Sequence, residues 1–205
     1  MQIAFPTHEY GGYVFDLDGT LIDSMPVHYA AWRSALLTAG FAHEFNEDFF
    51  YSLGGVPTAK IVEILNHRHG THLDPAAVAH AKEEIYLREL ARIPPIAPVV
   101  AFARAKVAAG KPTAVASGGG RPVVEAALRA AGLRDLFSVI ATPEDVAHGK
   151  PAPDLFLLAA SKMGVPARDC LVLEDAEPGR LAAIAAGMDY VLIPGARERA
   201  QALRG

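Results

Sequence analysis

The sequence predicts an α/β fold in which a parallel, doubly wound sheet is interrupted by an inserted helical unit. Short aliphatic or β-branched runs recur at Tyr13 to Phe15, Thr113 to Ala116, Ser138 to Ala141, Leu171 to Leu173 and Tyr190 to Ile193. Helical stretches separate several of them, as expected of parallel strands joined by crossovers. The stretch from Ser24 to Ile93 breaks that alternation and reads as consecutive helices. With 205 residues, 51% hydrophobic and 20% charged, the chain can hold one full domain plus a smaller insertion around a packed core.

In chain order, the first strand ends at Phe15, and Gly19 allows the chain to turn away sharply. The best-marked inserted helix begins at Asp74-Pro75, an N-cap followed by proline at the first helical position, and runs through Ala91. Pro94-Pro95 stop it and mark the return to the sheet. The remaining helices are punctuated by Pro98 and Gly110, Pro122 and Gly132, Pro153 and Gly164, and the helix from about Glu177 by Gly187. The expected division is a core of residues 1–23 and 94–205 and a helical cap of residues 24–93.

Nineteen Lys and Arg against 23 Asp and Glu give a formal charge of -4, which argues against an extended surface for nucleic acid or anionic membrane. A small anion would need a local pocket. The single cysteine, Cys170, lies in an apolar run and forms neither an intrachain disulfide nor a Cys-x-x-Cys metal site. The start of the chain lacks the pattern of a secretory signal, and nowhere do 18 apolar residues run unbroken, so a cytoplasmic protein is expected.

The most informative segment is Tyr13-Val14-Phe15-Asp16-Leu17-Asp18-Gly19-Thr20, two carboxylates one residue apart at the end of a short apolar run. Open α/β sheets place ligands at the carboxyl ends of their strands, which suits Asp16 to a phosphate-handling, cation-assisted nucleophile. The same string also reads as a strand followed by an Asp-Gly turn. After the second strand, the Ser117 hydroxyl and the bare backbone of Gly118-Gly119-Gly120 could cradle phosphate oxygens. After the third, Lys150 stands between glycine and proline, where a fixed ammonium would offset charge on carboxylate and phosphoryl group. After the fourth, Glu174 and Asp175 offer hard oxygen ligands suited to Mg²⁺, although Glu174 also suits helix capping.

In chain order, Asp16-Leu17-Asp18-Gly19-Thr20, Ser117, Lys150-Pro151-Ala152-Pro153-Asp154 and Glu174-Asp175 together resemble the haloacid dehalogenase (HAD) superfamily. Asp23-Ser24-Met25-Pro26-Val27-His28 and the helical insertion look like its branch of β-phosphoglucomutase and small sugar-phosphate phosphatases. The resemblance implies a Rossmann-like core with a helical-bundle cap. It makes Asp16 the nucleophile that forms an aspartyl-phosphate and ligates Mg²⁺, and Asp18 the general acid and base whose backbone carbonyl reaches the metal. Ser117 would bind the phosphoryl group, Lys150 would hold the charges together, and Asp175 would complete the cation site with Glu174. His28 would assist around Asp18.

An acid at the second Asp position separates a phosphatase or phosphomutase from a dehalogenase, because a departing alkoxide needs a proton. A mutase of this branch carries a basic residue shortly after a cap turn like Gly54-Gly55-Val56-Pro57, where this chain has Thr58, with Lys60 nearby. Gly118-Gly119-Gly120 likewise stands where those mutases carry polar and basic side chains, which Arg121 could partly replace. Both departures favour hydrolysis, and the cap turn and Leu173-Glu174-Asp175-Ala176 look similar to bacterial-type phosphatases of fructose 1-phosphate and 6-phosphogluconate. The expected partner is a small phosphorylated metabolite, a sugar-phosphate monoester. A β-phosphoglucomutase is the alternative; a receiver-type signalling domain shares the phosphoacceptor but needs no helical cap.

Overall fold

The computed structural model describes residues 3–54 and 56–202. Five parallel strands, β1 (Gly12–Phe15), β2 (Thr113–Ala116), β3 (Val139–Ala141), β4 (Cys170–Glu174) and β5 (Asp189–Leu192), form one sheet in the order β3-β2-β1-β4-β5. The order reverses beside β1, so β1 is central and its carboxyl end lies at the switch point where such sheets open a crevice. Each expected strand is present to within a residue. Ser138 falls outside β3, and β5 is largely exposed because it forms the sheet edge.

Alternation along β1 explains the two faces of the sheet. Tyr13 and Phe15 enter one apolar cluster with Val99, Leu128 and Phe137, whereas Val14 enters the other with Phe156, Ala159 and Val172. The flanking helices are α5 (Ala97–Ala108), α6 (Arg121–Ala130), α7 (Asp154–Met163) and α8 (Glu177–Ala185).

Between β1 and α5 come α1 (Met25–Thr38), α2 (Glu47–Ser52), α3 (Thr58–His69) and α4 (Pro75–Glu89). The Asp74 carboxylate accepts from the amides of Ala76 and Ala77 at 2.9 and 3.1 Å, capping α4 behind Pro75. The α-helix ends at Glu89 and continues as a 3₁₀ turn over Leu90–Arg92, short of the expected Ala91. These helices bury a cluster of their own around Trp32, Phe45, Phe50, Ile61 and Leu65.

The chain's passages into and out of this helical segment pair with each other. Ile22 bridges Pro95 in antiparallel fashion, Asp23 N donates to Pro94 O at 2.9 Å, and Ile96 N donates to Leu21 O at 2.9 Å. After β5, a last helix, α9 (Ala196–Ala202), returns toward the same region. Among the described residues, no helix is long and apolar enough to cross a membrane.

Candidate active site

Asp16 is the first residue beyond β1, and its amide stays in the ladder by donating to Leu173 O at 2.9 Å. The carboxylate is thereby fixed at the sheet's carboxyl edge, where it is buried. The Lys150 ammonium reaches it across the fold, 2.6 Å from Asp16 Oδ1 and 2.7 Å from Glu174 Oε2, over the Phe156 ring. Glu174 spends its other oxygen on the Ala176 amide at 3.0 Å.

Asp175 completes the acidic group: Asp16, Glu174 and Asp175 each present an oxygen within 4.8 Å of the others. Thr20 Oγ1 donates to Asp175 Oδ1 at 3.2 Å. Two glycines make room for these carboxylates. A Cβ on Gly19, which has φ +90°, would stand 2.1 Å from Asp175 Oδ2, and one on Gly179 would stand 2.1 Å from Glu174 Cδ.

One ammonium cannot balance three carboxylates, and the acidities show it. Burial and then Glu174 push Asp16 well above the ordinary carboxylate range despite Lys150. Burial and Glu174 likewise raise Asp175 to about 7. Burial alone would depress Lys150, but Asp16 and Glu174 outweigh it and hold the ammonium firmly protonated. A cluster of hard oxygens with surplus negative charge fits a divalent cation such as Mg²⁺.

Asp18 sits opposite in different company. Ser24 Oγ at 2.6 Å, His28 Nε2 at 3.0 Å and Tyr86 Oη at 3.2 Å all converge on its Oδ1. Oδ2 turns toward the loop after β2, 3.9 Å from where a Cβ on Gly119 would lie. Burial would raise the Asp18 carboxyl, but His28, Ser24 and Lys82 hold it well below the usual range. The His28 ring stacks on Tyr86 at 3.9 Å and 10°, and burial and Lys82 lower its pKa against the pull of Asp18.

Ser117 is buried just beyond β2, its amide donating to Ala141 O and its Oγ accepting from Gly119 N at 3.1 Å. The helix α6 starts immediately after the glycines, with Gly120 as its N-cap. Space does not dictate glycine at 118, where a Cβ would meet nothing within 4 Å.

These groups share one cavity of about 180 Å³, into which Asp16, Asp18, Ser117, Gly118, Lys150 and Asp175 look from the sheet side. The helical segment closes it with a mainly apolar wall that includes Trp32, Phe50, Leu53 and Ile61, plus His28, Thr58 and Lys82. A larger groove of about 690 Å³ beside β5 offers no comparable chemistry, since its Tyr10 hydroxyl and Asp189 carboxylate bind each other at 2.8 Å.

Two sequence candidates lie elsewhere. Lys60 is exposed and pairs with Glu63 at 2.7 Å, one turn along α3 on its solvent side. The Arg121 guanidinium donates to Asp145 and the Ile140 carbonyl and is not among the cavity-lining groups, while its backbone amide donates to Glu144. Gly55 of the cap turn lies outside the described residues.

Lys82 and Tyr86 are the residues that sequence reasoning missed. Lys82 is 7% exposed, lines the cavity and places Nζ 5.3 Å from the Tyr86 ring centre. Burial depresses its pKa, and Asp18 and Glu83 oppose that shift. The available signal was spacing: Val78, Lys82 and Tyr86 recur every four residues on one face of α4, and all three are buried.

The sequence profile of the haloacid dehalogenase-like hydrolases matches residues 10–187. The fructose-1-phosphate phosphatase YqaB of Escherichia coli (strain K12) is 38% identical over 185 residues, covering 89% of this chain and 95% of its own. Hexitol phosphatase A of the same organism is 33% identical over 183 residues, covering 89% and 82%. The structure of CbbY from Rhodobacter sphaeroides in complex with xylulose-(1,5)bisphosphate superposes with a TM-score of 0.82 at 28% identity, covering 93% of this chain and 89% of that one. With the profile spanning most of its length and phosphatase relatives matched nearly end to end, the chain belongs to the haloacid dehalogenase-like hydrolase family.

Proposed function

We propose that this enzyme is a Mg²⁺-dependent phosphatase of small sugar-phosphate monoesters that works through an aspartyl-phosphate. The observation that carries the reading is the pairing of Lys150-bound Asp16 with an Asp18 whose Oδ2 is turned toward the Ser117 loop, within one cavity. The phosphatase names of the relatives support the substrate class.

In this reading an Asp16 carboxylate oxygen attacks phosphorus, and the bond from phosphorus to the sugar oxygen breaks. Asp18 gives its proton to the departing oxygen. It then takes a proton from water, whose oxygen attacks the aspartyl-phosphate, releases phosphate and regenerates the Asp16 carboxylate. At rest Asp18 is the carboxylate, which suits the water-activating half; a phosphoryl group entering beside it raises its pKa and suits the protonating half.

Ser117 and the Gly118 amide hold the phosphoryl oxygens, with the Gly119 amide bonded to Ser117 Oγ, and Lys150 offsets charge on them and on Asp16. Asp16, Asp175 and the Asp18 main-chain carbonyl would hold Mg²⁺. Glu174, with one oxygen on Lys150 and the other on the Ala176 amide, sets Lys150 in place. When bound, the cation neutralises charge on the transferring group.

Residues 24–93 act as the cap over a core of residues 1–23 and 94–205, excluding water and selecting the sugar. The small cavity with one cap ammonium, Lys82, favours a single phosphate and hydrolysis over a mutase that must grip a second phosphate. A cytoplasmic setting suits the buried, unpaired Cys170.

The test is incubation with Mg²⁺ and fructose 1-phosphate, a hexitol phosphate, xylulose 1,5-bisphosphate and β-glucose 1-phosphate, measuring free phosphate and glucose 6-phosphate in parallel. Phosphate release from the monophosphates supports the reading. Glucose 6-phosphate without comparable phosphate overturns it in favour of the mutase, and neither product overturns both.

A further inference from the structure

Helix α9 reaches two places at once. Arg199 points inward: its guanidinium donates to Asp23 Oδ1 at 2.6 Å, Gly19 O at 3.0 Å and Pro194 O at 2.5 Å. Arg197, two positions earlier and so on another side of the helix, points outward to α2. There it bonds Asp48, lies 3.4 Å from Glu47 Oε2, and covers the Tyr51 ring at 4.7 Å.

These contacts bear directly on the site. Gly19 follows Asp18, and Asp23 is part of the paired passage into the helical segment. Six-residue α2 supplies Phe50, and the residue closing it is Leu53; both wall the cavity along with Trp32 and share its apolar cluster. A helix that short needs outside contacts to keep its place.

We propose that α9 is a latch, fastened to the core by Arg199 and closed onto α2 by Arg197, and that Arg197 is thus a positioning residue for the cavity's apolar wall. The two ends differ in strength. The Arg199 side chain is 11% exposed and carries three bonds, so the core end stays fixed. Arg197 and Asp48 are 41% and 86% exposed, so their pair is weak, reversible and screened by salt. Such a fastening closes the cavity without locking it, which a turnover cycle requires.

Trp32, the single tryptophan, is buried in the same apolar cluster as Phe50 and Leu53 and lines the same cavity, so it reports the latch without any substrate. The experiment is acrylamide quenching of its fluorescence in the wild-type chain, Arg197→Glu, Asp48→Arg and the double variant, at low and high KCl, with melting temperature read alongside. Arg180→Ala, which breaks an exposed pair with Glu177 on α8, is the control. Either single variant should raise the open-to-closed ratio about two- to fivefold, the range for an exposed ion pair. The double variant should restore quenching toward wild type, and KCl should open the wild type but not Arg197→Glu. Quenching equal in all chains overturns the latch, as does a double variant as open as the singles. Because no phosphate ester is used, failure here is separate from failure of the phosphatase reading.

Discussion

His28 Nε2 stands 3.0 Å from Asp18 Oδ1, on a ring stacked flat against Tyr86, so a helix of the inserted segment holds one oxygen of a core carboxylate and leaves the other to the cavity. The proposed mechanism uses that second oxygen, Oδ2, as the proton carrier. Asp18→Asn should lower turnover of a sugar phosphate by about 10²- to 10⁴-fold. The loss should shrink with p-nitrophenyl phosphate, whose leaving group departs without a proton. An equal loss on both esters would reject the general-acid role.

Asp16→Asn removes the attacking oxygen at nearly constant volume. Turnover should fall by about 10⁴-fold or more. The melting temperature should hold or rise, because the carboxylate it replaces is buried and pushed well above its ordinary pKa. Turnover near wild type would end the covalent mechanism.

The raised Asp175 carboxyl ties stability to pH and cation together. Its folded-state pKa of about 7 lies above the ordinary 3.8, so its contribution to stability is complete below the unfolded value and lost as pH rises through 7. Mg²⁺ favours the ionised form and should recover what is lost. Melting in EDTA and in Mg²⁺ should therefore differ little at about pH 5 and clearly at about pH 8. An equal shift at both would mean that the cation binds elsewhere.

Lys82→Met should separate binding from folding. The ammonium is buried and depressed in pKa by that burial, so methionine should raise the melting temperature. If Lys82 also contacts the substrate, KM should rise about tenfold to a hundredfold, the loss of a hydrogen bond to a charged group. An unchanged KM would assign Lys82 to the Asp18 surroundings alone.

Gly179→Ala would set a Cβ 2.1 Å from the Glu174 carboxyl carbon. Stability should fall by about 1–3 kcal/mol, as for other overpacked sites. Activity should fall further than that, since Glu174 positions Lys150. Full activity with a lowered melting temperature would show that Glu174 can move without consequence.

The sheet was legible because four of its five strands, β1 to β4, are buried apolar runs, and the polar residues that matter lie at or just beyond their ends. Asp16, Ser117, Glu174 and Asp175 need only a strand end to be placed. Lys150 sits farther on, yet Gly149 and Pro151 set it apart. The helical wall was far less legible. Lys82 lies in an alanine- and glutamate-rich helix where a lysine ordinarily faces water, and only its phase with Val78 and Tyr86 marks the buried side. Lys60 attracted attention by proximity in sequence to Thr58, but two positions along a helix point away from each other. The Arg121 side chain was drawn off by Asp145 and the Ile140 carbonyl, which lie some twenty residues on and which local sequence does not announce.

The hydrogen-bonded crossing of Ile22 with Pro95 brings the two ends of the helical segment to one spot on the sheet's rim. An excursion that leaves and rejoins at neighbouring atoms adds little closure entropy to the scaffold that hosts it. The sheet-edge groups Asp16, Ser117 and Lys150 and most of the apolar cavity wall therefore come from separate stretches of chain, joined at Asp18, which Ser24, His28 and Tyr86 of the inserted segment hold. On the proposed function, the wall from Phe50 to Ile61 can be reshaped to suit another ester while Asp16, Ser117 and Lys150 keep their places, provided Ser24, His28 and Tyr86 stay to hold Asp18.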